Sequence, residues 1–250
     1  MLNTRPEQAA GDMLRPFLRQ VTFGGAQGRD PLGTPGGLTA GFIAPALTRL
    51  AALGVTPAWR QPLRGLEIAA GRVAALHFET RRVALAATDS VVLALPPRAT
   101  ARLVPGVRAL PDSGILVAHF CLPEARPRQF STLLAEEPIW LLVEGRIATA
   151  TVGAACALMP TPGRVLAARL WRSVGRALDL PAAVPPVRVL KYRGGTYLHS
   201  PAAERSKPDP TAGLANLRLA GDWTLPGQAA SLEAAARSGH LAAEALLAGA

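Results

Sequence analysis

The stretch that decides the fold is Leu217-Arg-Leu-Ala-Gly-Asp-Trp-Thr224, followed after a short turn by Ala229-Ala-Ser-Leu-Glu-Ala-Ala235 and a helix to about Ala248. The apolar half of the first segment reads as a strand with Gly221 and Asp222 at its carboxyl end, where ligands bind in open α/β sheets. Glycine lets the backbone approach a ligand closely, and the unpaired N–H groups of a helix N-terminus favour phosphate. The pattern therefore predicts a ligand site between this strand and this helix.

A plainer interpretation gives the same spacing. A terminal helix rich in small residues can dock on a sheet, with Asp222 as a residue of its first turn and no ligand role. No stretch of the sequence has the pattern of a strand, then G-x-G-x-x-G, then a helix, which is the usual binding site for the pyrophosphate of a dinucleotide. Spacing alone leaves both interpretations open.

Composition sets the broad class of the protein. At 250 residues and 49% hydrophobic content, the chain can bury a large core in one domain or two. The start of the chain lacks the apolar region of a secretory signal, and the weakly polar run Ile147 to Met159 is too short to span a bilayer. The sequence predicts a cytoplasmic protein, with peripheral contact at the inner membrane face as a second expectation.

The net charge of +10 comes almost wholly from arginine, because Lys191 and Lys207 are the only lysines. The arginines are spread along the chain and aromatic residues make up only 5%. A nucleic-acid-binding protein more often has a dense basic run or basic residues between aromatics. We therefore expect no nucleic-acid partner, and at most an attraction to anionic membrane surfaces.

Periodicity and turn residues predict the elements of the first part of the chain. Thr4 to Arg15 reads as a capped helix that Pro16 kinks or ends. Phe23 to Gly37 is rich in glycine and reads as a loop. Leu38 to Leu53 reads as a second helix, and Gly54 ends it.

The rest of the chain reads as two sets of strands with helices between them. The first set ends in a continuously apolar strand, as in a buried parallel sheet, and its predicted strands are Leu63 to Ile68, Val73 to Phe78, Arg82 to Ala86 and Ser90 to Leu95. The second set comprises Ile115 to Cys121, Trp140 to Val143, Ile147 to Val152 and Pro185 to Lys191. The predicted helices are Ala99 to Leu103 and Gly163 to Leu178, and Tyr192 to Thr211 is predicted to be irregular.

The C-terminal segment resembles the FAD-dependent amine oxidase and phytoene desaturase superfamily. There the signature reads roughly L-x-L-A-G-D-W-T, a turn, then P-A-T-I-E-G-A and S-G, which Leu217–Thr224, Ala229–Ala235 and Ser238-Gly239 follow. Alanine stands at position 234, where the superfamily has a glycine that lets the helix lie close to the flavin. We expect the added methyl group of Ala234 to weaken or shift contact with the flavin.

Further segments resemble one branch, the squalene-associated FAD-dependent desaturases or hydroxysqualene dehydroxylases. The segment from Leu2 to Ala9 is similar to its "LNTxPxxAS" helix start, and Asp89–Pro97 to its "ADAVVLAVPP" strand. Ser113–His119 and Pro138–Trp140 are similar to its substrate-domain strands, and Arg193–Tyr197 with Ser200-Pro201 to "EKRATFxxTP". The order of these segments is collinear from Leu2 to the end of the chain.

The resemblance implies a mixed α/β fold: an incomplete FAD-binding Rossmann-like domain and a substrate domain with a mixed or antiparallel sheet and helices. Residues 55–107 and 212–250 would form the partial FAD-binding domain, without the N-terminal G-x-G-x-x-G portion, and residues 1–54 and 108–211 the substrate domain. The cofactor-binding residues implied are Gly221, Asp222, Trp223, Ala230, Ser231 and Leu63. The residues implied at the substrate cavity are Arg193, Thr196 and Tyr197.

The resemblance also implies FAD, a long isoprenoid substrate, and reductive dehydroxylation of hydroxysqualene to squalene in hopanoid biosynthesis. The alternative is a non-catalytic or split-enzyme subunit, an isoprenoid-binding module that needs a partner chain to complete the flavin site. An amine oxidase acting on a polar amine is disfavoured, because aromatic residues for an amine cage are scarce. No catalytic residue is assigned, and the four histidines have no second ligand at metal spacing.

Overall fold

The computed structural model describes residues 3–23, 37–133 and 138–248. Leu2, the greater part of the predicted glycine-rich loop and the last two residues of the chain lie outside the described residues. Within the described ranges the chain folds into two antiparallel sheets, a pair of parallel strands and several helices. The predicted mixture of helices with parallel and antiparallel strands is confirmed.

The first sheet is antiparallel and formed by β1 (Leu63–Ala69), β2 (Arg72–Phe78) and β3 (Arg82–Ala84), in that order. Ala70 and Gly71 join β1 to β2, and both have positive φ, at 49° and 71°. Two successive residues of positive φ form the hairpin turn whose twist matches that of the flanking strands. The predicted turn at Gly71 is therefore confirmed.

The parallel pair joins two distant parts of the chain, β4 (Val91–Leu93) and β8 (Leu217–Leu219). The prediction of a parallel strand at Val91 is confirmed, but only one face of this pair is buried by the described residues. Val91 and Leu93 are buried, whereas Val92 points to the other face and is 43% exposed. The continuous apolar run therefore predicted the strand correctly, but its prediction that both faces are buried is wrong for the described residues.

The third sheet is antiparallel, with β5 (Asp112–Leu133) between β6 (Ile139–Val152) and β7 (Val187–Tyr197). Helix α4 (Gly163–Ala177) packs on it with Leu166, Leu170 and Trp171 buried. The two strands predicted at residues 140–152 are one strand, because the chain passes through Gly145 with positive φ and stays paired with β5.

Residues 192–211 are less irregular than predicted. Strand β7 continues to Tyr197, and a short helix, α5 (Pro201–Arg205), follows. The two glycines before Thr196 hid the strand pattern, yet Gly195 lies so close to β5 that an added Cβ would be 2.8 Å from Cγ1 of Ile115. The strand therefore uses glycine for close packing rather than for a turn.

The N-terminal helix begins later than predicted. A short 3₁₀ turn spans Pro6–Gln8, and α1 (Gly11–Phe23) runs through Pro16 instead of ending there. The predicted cap is also wrong, because the Thr4 hydroxyl accepts a hydrogen bond from the His199 backbone N–H at 2.8 Å. Thr4 thus ties the start of the chain to the turn after β7.

The remaining helices follow the predictions closely. A π-helical turn at Thr39–Ile43 leads into α2 (Ala44–Ala52), and Gly54 at φ 74° lies just beyond its end. Helix α3 spans Pro97–Leu103, and α6 spans Leu232–Leu247, slightly shorter than predicted. Among the helices that the structure describes, none has both the length and the apolar composition needed to cross a bilayer.

Two hydrophobic cores lie side by side. The first is formed by β5, β6 and α4 around Phe120 and Trp171, whose rings are 5.0 Å apart. The second gathers β2, β4, β8 and the segment around Tyr197. Its buried members are Val73, Val91, Leu93, Val104, Val107, Leu110, Tyr197, Ala203, Leu214, Leu217, Leu219 and Trp223.

Candidate functional site

A cavity of about 620 Å³ opens where the second core meets the end of β7. Its walls are formed by the residues after the carboxyl ends of β4 and β8, the start of α3, the last residues of β7 and the first part of α6. The size lies within the range of small-molecule sites, roughly 300–1,000 Å³. The position, beyond the carboxyl ends of parallel strands, is where ligands bind in α/β proteins.

Gly221 has a backbone that other residues rarely adopt. Its φ is +147°, and a Cβ placed there would lie 2.6 Å from Nε1 of Trp223. The Gly221 N–H donates to Oγ of Ser238 on α6 at 2.8 Å, and its carbonyl accepts from Thr224. Glycine at this position therefore lets the strand end and the helix meet at the cavity wall.

Trp223 connects the ends of the two parallel strands. The side chain is 1% exposed, and Nε1 donates to the Leu95 carbonyl beyond β4 at 3.0 Å. Because the indole bridges β8 to the chain after β4, it fixes the distance between two walls of the cavity. Trp223 also lines the cavity.

Asp222 lines the cavity and is half-buried. Burial raises the pKa of its carboxyl, while a backbone hydrogen bond and the positive charge of Lys207 oppose the rise. A partly desolvated carboxylate beside an apolar wall favours partners that donate hydrogen bonds to it. Hydroxyl or N–H groups of a ligand meet that requirement.

The structure brings the predicted substrate residues to the same cavity. Arg193, Thr196 and Tyr197 line it together with Gly221 and Asp222. The hydroxyl oxygen of Thr196 is buried and has no hydrogen-bond partner among the described residues. An unpartnered buried hydroxyl is costly, and because this oxygen is inaccessible to solvent, Thr196 lines the cavity through its other atoms.

Tyr197 is neutral at physiological pH. Burial raises the pKa of its phenol, and the negative charges of Glu204 and Asp222 add to the rise. Its hydroxyl donates to the Gln228 carbonyl at 3.3 Å, and only 2% of the residue is exposed. The ring thus forms a rigid, uncharged wall of the cavity.

Sequence analysis missed the basic wall of the cavity. Arg98 and Arg102 of α3 line it, and Arg98 forms an ion pair with Asp112 at the start of β5. The pair Pro96-Pro97 directly after an apolar parallel strand was the available signal, because residues that follow such strands face ligand sites. With Arg193, these side chains give one side of the cavity a positive charge.

Three of the predicted cofactor residues lie outside the cavity lining. Leu63 begins β1 and packs against the second core, and Ala230 does so in the turn before α6. The Ser231 side chain caps α6 by accepting from the Ala234 N–H at 3.1 Å. Their roles toward a cofactor stay predictions.

The small residues of α6 divide between the core and the cavity. Ala235 lines the cavity, whereas Ala234 is 1% exposed and absent from the cavity wall. The methyl group that was expected to stand against a ligand therefore packs elsewhere, and the neighbouring alanine takes that position.

The chain matches the model of the flavin containing amine oxidoreductases over residues 5–247. It belongs to that family. The predicted superfamily and the predicted cofactor, FAD, are thereby confirmed.

Curated relatives point to the branch that the sequence resembles. The chain is 32% identical to hydroxysqualene dehydroxylase of Rhodopseudomonas palustris over 251 residues, covering 99% of this chain and 60% of the relative. It is 29% identical to the protein of the same name from Sinorhizobium fredii, covering 97% of this chain and 59% of that protein. The chain thus spans about three fifths of the length of these relatives.

Solved structures share the fold. An oxidoreductase from Methanosarcina mazei superposes with a TM-score of 0.66 at 14% identity, covering 97% of this chain and 61% of that one. A proposed protoporphyrinogen oxidase from Exiguobacterium sp. 255-15 gives a TM-score of 0.61 at 13% identity, covering 96% and 60%. The arrangement of the two sheets and the parallel pair is therefore that of known oxidoreductase folds.

The residues at the cavity fit part of a flavin nucleotide. Gly221 leaves room for the packed Trp223 indole at the strand end, and Asp222 presents acceptor oxygens at the cavity. Arg98, Arg102 and Arg193, which line the same cavity, supply hydrogen-bond donors. This donor and acceptor set suits hydroxyl and phosphate groups beside an aromatic ring system.

Proposed function

We propose that the chain is an FAD-dependent oxidoreductase, or the C-terminal part of one, that acts on a long isoprenoid alcohol. The reaction proposed is the reductive dehydroxylation of hydroxysqualene to squalene, a step of hopanoid biosynthesis. The observation that carries the proposal is the cavity that Gly221 and Asp222 line together with Arg193, Thr196 and Tyr197. The names of the relatives support the choice of substrate.

In this proposal the residues of the cavity have separate tasks. Asp222 accepts hydrogen bonds from the cofactor, and Gly221 lets the cofactor approach the strand end. Tyr197, which is uncharged and buried, forms an apolar wall for the isoprenoid. Arg193 donates hydrogen bonds to the hydroxyl group of the substrate and to the hydroxide that leaves, and Thr196 forms part of the wall.

When bound in its reduced form, FAD supplies the hydride that forms the new C–H bond while the C–O bond breaks and hydroxide leaves. The cationic side chains of the cavity stabilise the charge that develops on the leaving oxygen. Arg193 and Arg102 are the side chains placed to do so, since Arg98 is already paired with Asp112.

The proposal includes a division of labour between two regions. Residues 55–107 and 212–250 would bind the flavin, and residues 1–54 and 108–211 the substrate. The two separate hydrophobic cores support this division, since the first core draws only on residues between Leu116 and Val189. The second core draws on both proposed regions, since Leu110, Tyr197 and Ala203 belong to the proposed substrate region.

The alternative function is a subunit that completes its flavin site with a partner chain. The exposed face of the parallel pair favours it, because parallel strands are normally covered on both faces. Val92 on that face is 43% exposed in the part of the chain that the structure describes. The shorter span relative to the curated relatives is consistent with either function.

Flavin retention tests the proposal. The purified chain is mixed with FAD and desalted, and its visible absorption spectrum is recorded for wild type, Asp222→Ala and Asp12→Ala. Asp12 is an exposed carboxylate on α1 and serves as the control. We expect flavin bands in wild type and Asp12→Ala and their loss in Asp222→Ala.

The other outcomes are equally decisive. Full flavin retention in Asp222→Ala would refute the site assignment. A folded but colourless wild type would favour the partner-chain alternative. A chain that retains flavin is then assayed under reducing conditions for conversion of hydroxysqualene to squalene, and absence of turnover would remove the proposed reaction.

A further inference from the structure

The inference concerns the loop of residues 225–230, here called the cavity loop. It connects Trp223, on one wall of the cavity, to α6, whose Ala235 lies on another wall. Any shift of this loop changes the distance between those walls. The contacts that hold the loop therefore bear on the shape of the cavity.

Side chains from residues 197–207 hold the backbone of the cavity loop. His199 Nε2 accepts from the Ala230 N–H at 2.9 Å, and Glu204 Oε2 accepts from the Gly227 N–H at 3.2 Å. Lys207 Nζ donates to the carbonyl of Leu225 at 2.8 Å and more weakly to that of Gln228 at 3.4 Å. The phenol of Tyr197 also donates to the Gln228 carbonyl.

These side chains form one buried cluster. The Lys207 side chain is 1% exposed and pairs with Glu204 Oε1 at 2.9 Å, so the buried cation is neutralised within the cluster. Its ammonium also lies 5.2 Å from the centre of the Tyr197 ring. A charge buried with its partner and several hydrogen bonds is costly to rearrange, which makes the cluster a rigid anchor.

His199 is fixed from several directions. The residue is 1% exposed, its ring lies 4.2 Å from that of Tyr197, and its backbone carbonyl accepts from the Ala10 N–H at 2.8 Å. Because Nε2 accepts the hydrogen bond from Ala230, the imidazole is neutral with its proton on Nδ1. Nδ1 has no hydrogen-bond partner among the described residues. Within that part of the chain, the imidazole ring is therefore held by one hydrogen bond, the one from the Ala230 N–H to Nε2.

We propose that His199, as a neutral imidazole, is a positioning residue that fixes the cavity loop, with the Lys207–Glu204 pair holding the loop's other end. By fixing the loop it sets the position of α6 and of Ala235 at the cavity. The consequence for flavin binding rests on the proposed function; the positioning of the loop does not.

Hydrogen exchange tests the positioning in the cofactor-free chain. Exchange of individual amides is followed by NMR at pH 7 in wild type, His199→Ala, His199→Gln and His240→Gln. Glutamine offers an acceptor oxygen near the position of Nε2, and His240 is a solvent-exposed histidine on α6 that serves as the control. We expect the Ala230 amide to exchange roughly tenfold faster in His199→Ala and near the wild-type rate in the other two variants.

Two results would overturn the inference. One is an Ala230 amide whose exchange is unchanged in His199→Ala. The other is an equal acceleration at Leu116 and Phe120 in the first core, which would mean a general loss of stability. If His199→Ala does not fold, the decision passes to His199→Gln on lowering the pH from 7 to 3.5, because burial lowers the pKa of the His199 imidazole to about 4.

On acidification the neutral glutamine keeps its acceptor, whereas wild type loses it as the imidazole becomes protonated. The groups that act on the ring are Tyr197, which lies against it, and Lys207, which is paired with Glu204, and both chains share them. We therefore expect the protection of Ala230 to fall in wild type and persist in His199→Gln. The same fall in both chains would overturn the inference.

An FAD titration separates this inference from the proposed function. If the loop sets the flavin position, the dissociation constant rises about tenfold in His199→Ala and recovers in His199→Gln. A mobile loop with wild-type flavin affinity would overturn the link to the cofactor. A wild-type chain that binds no flavin refutes the proposed function, while the exchange comparison still decides the role of His199.

Discussion

The most direct perturbation of the site is Gly221→Ala, which adds one methyl group at the end of β8. The new Cβ would lie 2.6 Å from Nε1 and 2.8 Å from Cδ1 of Trp223, closer than carbon atoms approach in folded proteins. The indole is 1% exposed and donates to the Leu95 carbonyl, so moving it away from the methyl group would disturb its packing and this hydrogen bond. The alanine must also adopt a φ of +147°.

The expected cost is the sum of two effects. Holding a non-glycine residue in that backbone region costs about 1–3 kcal/mol, and forcing a methyl group into a packed site costs about 1–3 kcal/mol. We expect Gly221→Ala to lower the free energy of unfolding by about 3 kcal/mol, a large share of the roughly 5–15 kcal/mol of a typical domain. Partial relaxation of Trp223 would weaken its bond to Leu95 and widen the cavity.

Urea unfolding followed by tryptophan fluorescence measures this change. Gly239→Ala is the matched control, because Gly239 lies in α6 with nothing within 4 Å of an added Cβ. Removing a glycine from a helix interior should stabilise the chain by about 0.5–1 kcal/mol. A Gly221→Ala chain within about 0.5 kcal/mol of wild type, the range of ordinary surface substitutions, would refute the geometry assigned to the strand end.

Three further predictions use other parts of the structure. Ala235→Leu should lower FAD affinity in a titration with little effect on urea unfolding, whereas Ala234→Leu, at 1% exposure, should lower the free energy of unfolding by about 2 kcal/mol; equal behaviour would contradict the assigned helix face. Burial, with the charge of Lys207, lowers the pKa of His199 from 6.5 to about 4, so the unfolded chain binds more protons and the free energy of unfolding falls by about 3 kcal/mol as pH drops through that window. Unfolding of His199→Gln between pH 7 and 4 should lack this component, and an unchanged pH profile would count against a buried neutral imidazole. Asn216→Ala should cost about 2–3 kcal/mol in urea unfolding, because its buried amide accepts from the Val73 N–H and donates to the Val73 carbonyl; a smaller loss would mean that water replaces the amide.

The parallel pair could be predicted because its signals are local. An apolar run ended by Pro96-Pro97 and another ended by Gly221 each indicate a strand, and the turn residues mark the carboxyl ends. The site at those ends followed from the general position of ligands in α/β sheets. The exposure of the second face could not be predicted, because the burial of Val92 depends on which other residues cover it and not on the strand sequence.

The elements missed depend on contacts between distant residues. The end of β7 is polar and contains two glycines, and it becomes a strand because β5 pairs with it and Ile115 packs against Gly195. Likewise, the spacing of small residues in α6 could not decide whether Ala234 or Ala235 faces the cavity. That choice is set by the rotation of the helix against β8.

Residues that line the cavity could be predicted from the sequence, whereas residues that hold the cavity loop in place could not. The sequence indicated Asp222 and Tyr197 through their setting in recognisable segments. His199 and Lys207 gave no comparable signal, because each acts on the cavity loop, which lies far along the chain. Residues that act through tertiary hydrogen bonds become visible only when the partner backbone is placed.

The pairing of β4 with β8 has a consequence for biosynthesis. Val91 can pair with Leu217 only after the residues between them have been synthesised, so the walls of the cavity that depend on Trp223 cannot form before that point. The β5–β6–β7 sheet is complete once Tyr197 has been made, and it can fold earlier on the ribosome. Pairing across so long a separation in sequence slows folding, and until β8 has been synthesised the apolar side chains of β4 lack their partner strand and are available to chaperones.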